Sequence, residues 1–172
     1  TTSKVASDSA KKNAASVRDS AKALQEDSLA LLSKGKDSVF TKKNVRQDDG
    51  TVKSEYDTDA IYKAVSKFVK DYNSTIESAA SSEDSSVLSS TASMVKATKA
   101  NSNLLADVGI SIGSDNKLTI DEKAFKSANM TDVKSIFNGT GSYAYGIASS
   151  SSNIYNKSVS QLANLNGYSY TS

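Results

Sequence analysis

The chain has 172 residues with 21 basic and 19 acidic side chains, a formal net charge of +2, and no His, Cys, Pro or Trp. Those absences exclude disulfides, thiolate nucleophiles, zinc fingers and every mechanism that needs an imidazole base. About a fifth of the chain is serine, and so small a net charge lacks the concentrated basic face that binding to nucleic acid requires.

Residues 3–34 read as one long helix. Ser3, Ser7, Ala10, Ala14, Val17, Ala21, Leu24, Ser28 and Leu31 recur at alternating steps of three and four, the 3.5-residue repeat of a coiled-coil seam. Most of these positions are Ala or Ser, which let two helix backbones approach closely but bury little apolar area, so the helix needs a partner. Gly35 follows where a left-handed C-cap belongs, flanked by Lys34 and Lys36, which suit the negative end of the helix dipole. Beyond it the pattern breaks. Val39, Thr41 and Val45, then Val52 and Lys53, predict two short strands around Asp48-Asp49-Gly50, a hairpin turn signal in a polar ribbon.

A second helix is expected from Asp57 or Thr58, either of which can cap it, to about Ala80. Ile61, Val65, Phe68, Tyr72, Ile76 and Ala79 form its apolar stripe, the strongest in the chain. Residues 81–86 make a turn with Ser82 as the expected N-cap. A third helix carries Leu88, Ala92, Val95, Ala97, Leu104 and Leu105, and so short a connection implies that it packs antiparallel on the second. Residues 108–112 and 117–120 alternate like strands around a turn at Gly113-Ser114-Asp115-Asn116. Asp121 then caps a short helix over 122–128, and Thr131 or Asp132 caps another over 133–137. Tyr143, Ile147, Ile154, Leu162 and Leu165 predict a last helix over 142–165, with the serines at 149–152 as its weak point. After Asp132 the chain holds no acidic residue and only Lys134 and Lys157.

The expected fold is mainly α: an antiparallel helical bundle or coiled coil with a small unit containing a β-hairpin. It divides into an N-terminal coiled-coil-like helix (1–35), a polar hairpin connector (36–56), a middle region (57–139) and a low-charge C-terminal helix and tail (140–172). Ile61, Val65, Phe68, Tyr72, Leu104, Ile110, Leu118, Ile120, Ile136 and Phe137 are the expected core. No apolar run approaches the length of a membrane span, and residues 1–15 carry no apolar stretch of the signal-peptide kind.

Chemistry finds little purchase. Residues 115–122 superficially match the second half of a calcium-binding loop ending at Glu122, but Ser111 and Gly113 then stand where ligand oxygens are needed, so a turn and a helix cap explain the segment. Asp121 and Glu122 are favoured at a helix N-terminus without any catalytic role. Gly139-Thr140-Gly141 lacks the Lys and spacing of a phosphate loop. Tyr143, Tyr145, Tyr155, Tyr168 and Tyr170 fit half-buried packing better than a ligand surface. No catalytic residue, metal ligand or cofactor follows, and a non-enzymatic structural protein is expected.

Asn103-Leu104-Leu105-Ala106-Asp107-Val108-Gly109-Ile110-Ser111-Ile112, then Asp115-Asn116-Lys117-Leu118-Thr119-Ile120-Asp121-Glu122-Lys123-Ala124-Phe125, then Asp132-Val133-Lys134-Ser135-Ile136-Phe137, make an ordered set of motifs. Together with Ala64-Val65-Ser66-Lys67-Phe68-Val69-Lys70-Asp71-Tyr72-Asn73, this order resembles the C-terminal region of the bacterial flagellar filament-cap family, the second hook-associated protein. The similarity spans roughly residues 60–165. It implies a protein that self-oligomerises, meets flagellin or other axial proteins, and guides flagellin into a growing filament. It also implies an extracellular, flagellar location reached by export without a cleaved signal peptide. On this reading the assembly interface is Ala10, Ala14, Val17, Ala21, Leu24 and Leu31, facing Ile147, Ile154, Leu162 and Leu165, and Leu24→Asp blocks assembly while leaving the middle region folded. The alternative is a secreted or surface adhesion module that binds protein or glycan through the C-terminal tyrosines.

Overall fold

A computed structural model of the chain describes residues 2–168, with side chains from 8 to 167. Ser3 and Ser7 of the seam, and Tyr168 and Tyr170 of the tail, lie outside the described side chains. The protein is mainly α, about 70% helical, with two small antiparallel hairpins. The described elements run α1 (Thr2–Leu32), β1 (Lys43–Arg46), β2 (Val52–Glu55), α2 (Thr58–Ala80), α3 (Ser85–Ala100), α4 (Ser102–Asp107), β3 (Ile110–Ile112), β4 (Leu118–Ile120), α5 (Glu122–Ser127), α6 (Met130–Phe137) and α7 (Tyr143–Tyr168).

Helices α1 and α2 are antiparallel. Asn13 Nδ2 donates to Ser78 O at 2.8 Å near one end, and Lys67 Nζ meets Asp27 Oδ1 at 2.5 Å nearer the other. Helix α7 also runs against α1: Ala10 and Gln161 line one cleft, while Asn138, just before α7, donates to Leu31 O at 2.6 Å. One end of the molecule therefore holds the start of α1, the end of α7 and the α2–α3 turn. The opposite end holds the α1–β1 loop, the β1–β2 hairpin and the α6–α7 loop.

The buried face of α2 is Ile61, Val65, Phe68, Val69, Tyr72, Thr75, Ile76 and Ala79, the stripe read from its periodicity plus Val69 and Thr75. Its N-cap is Asp57, whose side chain accepts from Ala60 N at 3.0 Å. Phe68, Phe137 and Tyr143 meet edge to face with ring centroids 5.5–6.1 Å apart, the geometry that the aromatic quadrupole favours.

The third helix departs from its expected course. It is two helices, α3 and α4, broken at Asn101, whose side chain donates to Ala97 O at 2.9 Å and competes with the next helical turn. The buried positions of α3 are Val87, Met94 and Thr98, one residue out of step with the expected Leu88, Ala92 and Val95. Thr91 and Thr98 turn their hydroxyls back to Val87 O and Met94 O at 2.8 and 3.1 Å, so threonine packs inward there without an orphaned polar group. Leu104, expected in the core, is 54% exposed, and Ile120 is half-buried; the break at Asn101 turns Leu105 inward instead. Helix α3 makes its most extensive contacts with α7 rather than with α2.

Other boundaries shift by small, explicable amounts. The first hairpin pairs Lys43 with Glu55 and Arg46 with Val52, so Val39 and Thr41 precede it rather than join it. Asp84, not Ser82, caps α3 by accepting from Val87 N, while the Ser82 hydroxyl accepts from Asp84 N. Asn129, not Thr131 or Asp132, caps α6, accepting from Thr131 N at 2.8 Å. The run of serines in α7 is no break, because Ser151 is buried and donates to Ile147 O at 2.7 Å.

Hairpin β3–β4 is locked to the bundle by a residue whose role periodicity does not reveal. Asn73 on α2 donates from Nδ2 to Leu118 O at 2.8 Å and accepts from Leu118 N at 2.7 Å, pairing with the strand edge as another strand would. Gly109 leads into β3 at φ +82°, and a Cβ there would lie 2.9 Å from Phe125 N. Both the backbone conformation and the close approach of α5 require glycine.

Candidate functional site

The seam proposed as an assembly surface is closed within the chain. Ala14, Val17, Ala21, Leu24 and Leu31 of α1 are buried, as are Ile147 and Ile154 of α7, while Ala10, Leu162 and Leu165 are half-buried. The two helices make the most extensive contact in the molecule. Within the chain α1 packs against α7 and Leu24 is fully buried, so Leu24→Asp would strike the fold itself by burying a carboxylate without a partner. The reason is the one that made the helix marginal alone: a stripe of small residues takes the nearest matching helix, and α7 of the same chain is always at hand.

Serine makes the seam close. Between Ile147, Ile154 and Gln161, α7 buries Ser151 and Ser158, and α1 contributes Ser28. Each hydroxyl bonds to its own helix: Ser28 to Leu24 O at 2.8 Å, Ser151 to Ile147 O, and Ser158 to Tyr155 O at 2.7 Å. No polar bond therefore crosses the seam from these residues, and their small volume sets the helix separation.

Two polar clusters sit within the bundle. Tyr72 Oη donates to Thr98 Oγ1 at 2.9 Å, and Tyr143 Oη shares the same oxygen at 2.9 Å. Burial raises the phenol of Tyr143 well above its ordinary range and raises that of Tyr72. Tyr143 is thus a core residue bonded inward, while Tyr145, the neighbour offered with it for a glycan surface, is exposed.

The second cluster joins α1 to α2. Asp27 is 6% exposed, its Oδ1 accepting from Lys67 Nζ and its Oδ2 buried without a donor. Lys67 also reaches Asp71 at 3.5 Å. Burial first, then a carboxyl–carboxyl hydrogen bond with Asp71, pushes Asp27 up to about 7. A proton held on Asp27 turns repulsion between two carboxylates into a hydrogen bond. Lys67, in return, is raised by its bond to Asp27.

At the end away from the α2–α3 turn, every residue of β1 and β2 is exposed. The ribbon adds no residue to the core, meets the start of α2 through the Lys43–Asp57 ion pair at 3.2 Å, and carries Asp48 and Asp49 at its exposed turn. Thr51 donates to Asp49 Oδ1 from its hydroxyl at 2.6 Å and its N–H at 2.9 Å, which lowers the pKa of that carboxyl and keeps it charged. Near the base of the ribbon lies a groove of about 420 Å³ whose lining includes Lys34, Lys42, Tyr56 and Lys134 and no carboxylate. Lys42 stands over the Tyr56 ring, 4.9 Å from its centroid.

The carboxylates of the β3–β4 segment serve as caps. Asp115 accepts from Lys117 N at 3.0 Å and Asp121 from Ala124 N at 2.9 Å. Among the described residues no group of three or more acidic side chains gathers as a metal site, and no helix is long and apolar enough to cross a membrane. None of the protein-family models, curated proteins or solved structures compared with this chain matches it.

Proposed function

We propose that this chain is a non-enzymatic assembly protein of the bacterial flagellum, of the filament-cap kind, exported and working by contact with flagellin or another axial protein. The observation that carries the reading is the pairing of the two end helices, α1 and α7, along one antiparallel seam of small residues. That pairing leaves a two-ended body. One end gathers the start of α1 and the end of α7, and the other carries a ribbon exposed on both faces. Such a body suits a part that is held by one end and presents the other. The ordered motifs over residues 60–165 add to it, and the residues in them carry structural work: Tyr72 and Asn73 anchor α3 and β4 to α2.

The test is deletion in the source bacterium together with binding of the full chain to flagellin monomers. The reading expects short or absent filaments, flagellin released into the medium, and binding that survives a wash at moderate salt. Normal filaments with no flagellin binding would overturn it.

A further inference from the structure

The hairpin turn and the groove near its base are complementary in charge, yet they cannot meet within one molecule. A four-residue strand at about 3.3 Å per residue carries the turn about 13 Å from the base of the ribbon, and the ladder of Lys43 to Arg46 against Val52 to Glu55 holds it extended. The turn presents Asp48 and Asp49. The groove presents Lys34 from beyond α1, Lys42 from ahead of β1 and Lys134 from α6. None of these three ammonium groups has a carboxylate within ion-pair distance among the described residues.

The groove is also built rather than improvised. Gly35, at φ +68°, turns the chain, and its carbonyl accepts from Ser38 N at 3.1 Å and Thr41 Oγ1 at 2.6 Å. Phe40 is buried beneath. Asn138 donates to Leu31 O and to Ser33 O, tying the end of α6 to the end of α1. The lysine stems thus spring from a fixed frame, which lowers the ordering cost of gathering their charges around a guest.

We infer that the acidic turn of one copy seats in the lysine groove of the next, giving a head-to-tail contact between copies of this chain. The contact joins two different patches, so repetition of it closes a ring or extends a filament rather than stopping at a dimer. Exposed charge pairs are individually weak, so a single contact is transient and closure of several supplies the persistence. This rests on the self-association in the assembly reading and gives it an interface separate from the α1–α7 seam.

The experiment is sedimentation of the full chain at high concentration, at low and high salt, with two charge-altered proteins. One carries Asp48→Lys with Asp49→Asn, which keeps the acceptor for Thr51; the other carries Lys34→Glu with Lys134→Glu. Circular dichroism checks that both fold. The expected result is association of the wild type that weakens about tenfold or more at high salt, loss of association in each variant alone, and its return when the two are mixed. Association that persists in both variants would overturn this contact while leaving the assembly reading intact. A wild type that stays monomeric at low salt would also overturn it, while flagellin binding would still decide the assembly reading on its own terms.

Discussion

The bundle is closed in two different ways along its length. Near the α6–α7 loop, Phe68, Phe137 and Tyr143 fill the space between α2, α6 and α7 with rings, and Thr98 ties the phenols of Tyr72 and Tyr143 together. Along α1 and α7 the filling includes Ala14, Ala21, Ala144, Ser28, Ser151 and Ser158, with Val17, Leu24, Leu31, Ile147, Ile154 and Gln161 among the larger side chains. The first region gains its stability from area and volume; the second gains it from the proximity of two backbones. A core of rings suffers from deletion, whereas a seam of small residues suffers from addition.

The largest effect should come from deleting a ring. Phe68→Ala removes a fully buried side chain that contacts three other aromatics, and should cost about 3–5 kcal/mol. Thermal denaturation should show a fall of about 10 °C or more. The converse change tests the seam. Ala21→Leu adds volume at a fully buried position and should cost about 1–3 kcal/mol by overpacking. A neutral or stabilising result would mean that the helices are not held at close range by their small residues, and the contrast between the two regions would fail.

A smaller effect separates the polar link of α1 to α2 from the apolar seam. Asp27 holds its proton up to about 7 in the folded chain, against about 4 when unfolded. Its pKa is raised on folding, so its contribution to stability is fully present below about pH 4 and is lost as pH rises through 7. The melting temperature should therefore fall by a few degrees between pH 5 and pH 8, and Asp27→Asn should flatten that slope. A slope unchanged in the variant would move the pH dependence elsewhere. The smallest effect belongs to the ribbon: Val52→Thr at an exposed strand position should leave stability within about 0.5 kcal/mol, a control that marks the hairpin as outside the core.

The register of α3 shows where hydropathy misleads. Counting apolar residues puts Leu88, Ala92 and Val95 inward, yet the helix buries Val87, Met94 and Thr98. Threonine scores as polar, but its hydroxyl is satisfied by a carbonyl four residues back, so the buried cost that the score assumes does not arise. Asn73 and Asn138 escaped notice for a related reason. Their amides serve backbone groups 45 and 107 residues away in sequence, and no local pattern marks such a partner.

What the sequence by itself determined is local and periodic: the long helices, the stripe of α2, the two hairpin turns, the cap at Asp121, and the absence of side chains for thiol or imidazole chemistry. A period of 3.5 or 2 follows from backbone geometry alone and is visible residue by residue. What only the tertiary structure decided is which helix covers the stripe on α1. The stripe on α1 announces that a helix must cover it, and the low charge of α7 announces a helix ready to be covered, but neither says whether the two belong to one chain. Packing within the chain settled that, because covalent connection supplies a local concentration that a separate molecule must match.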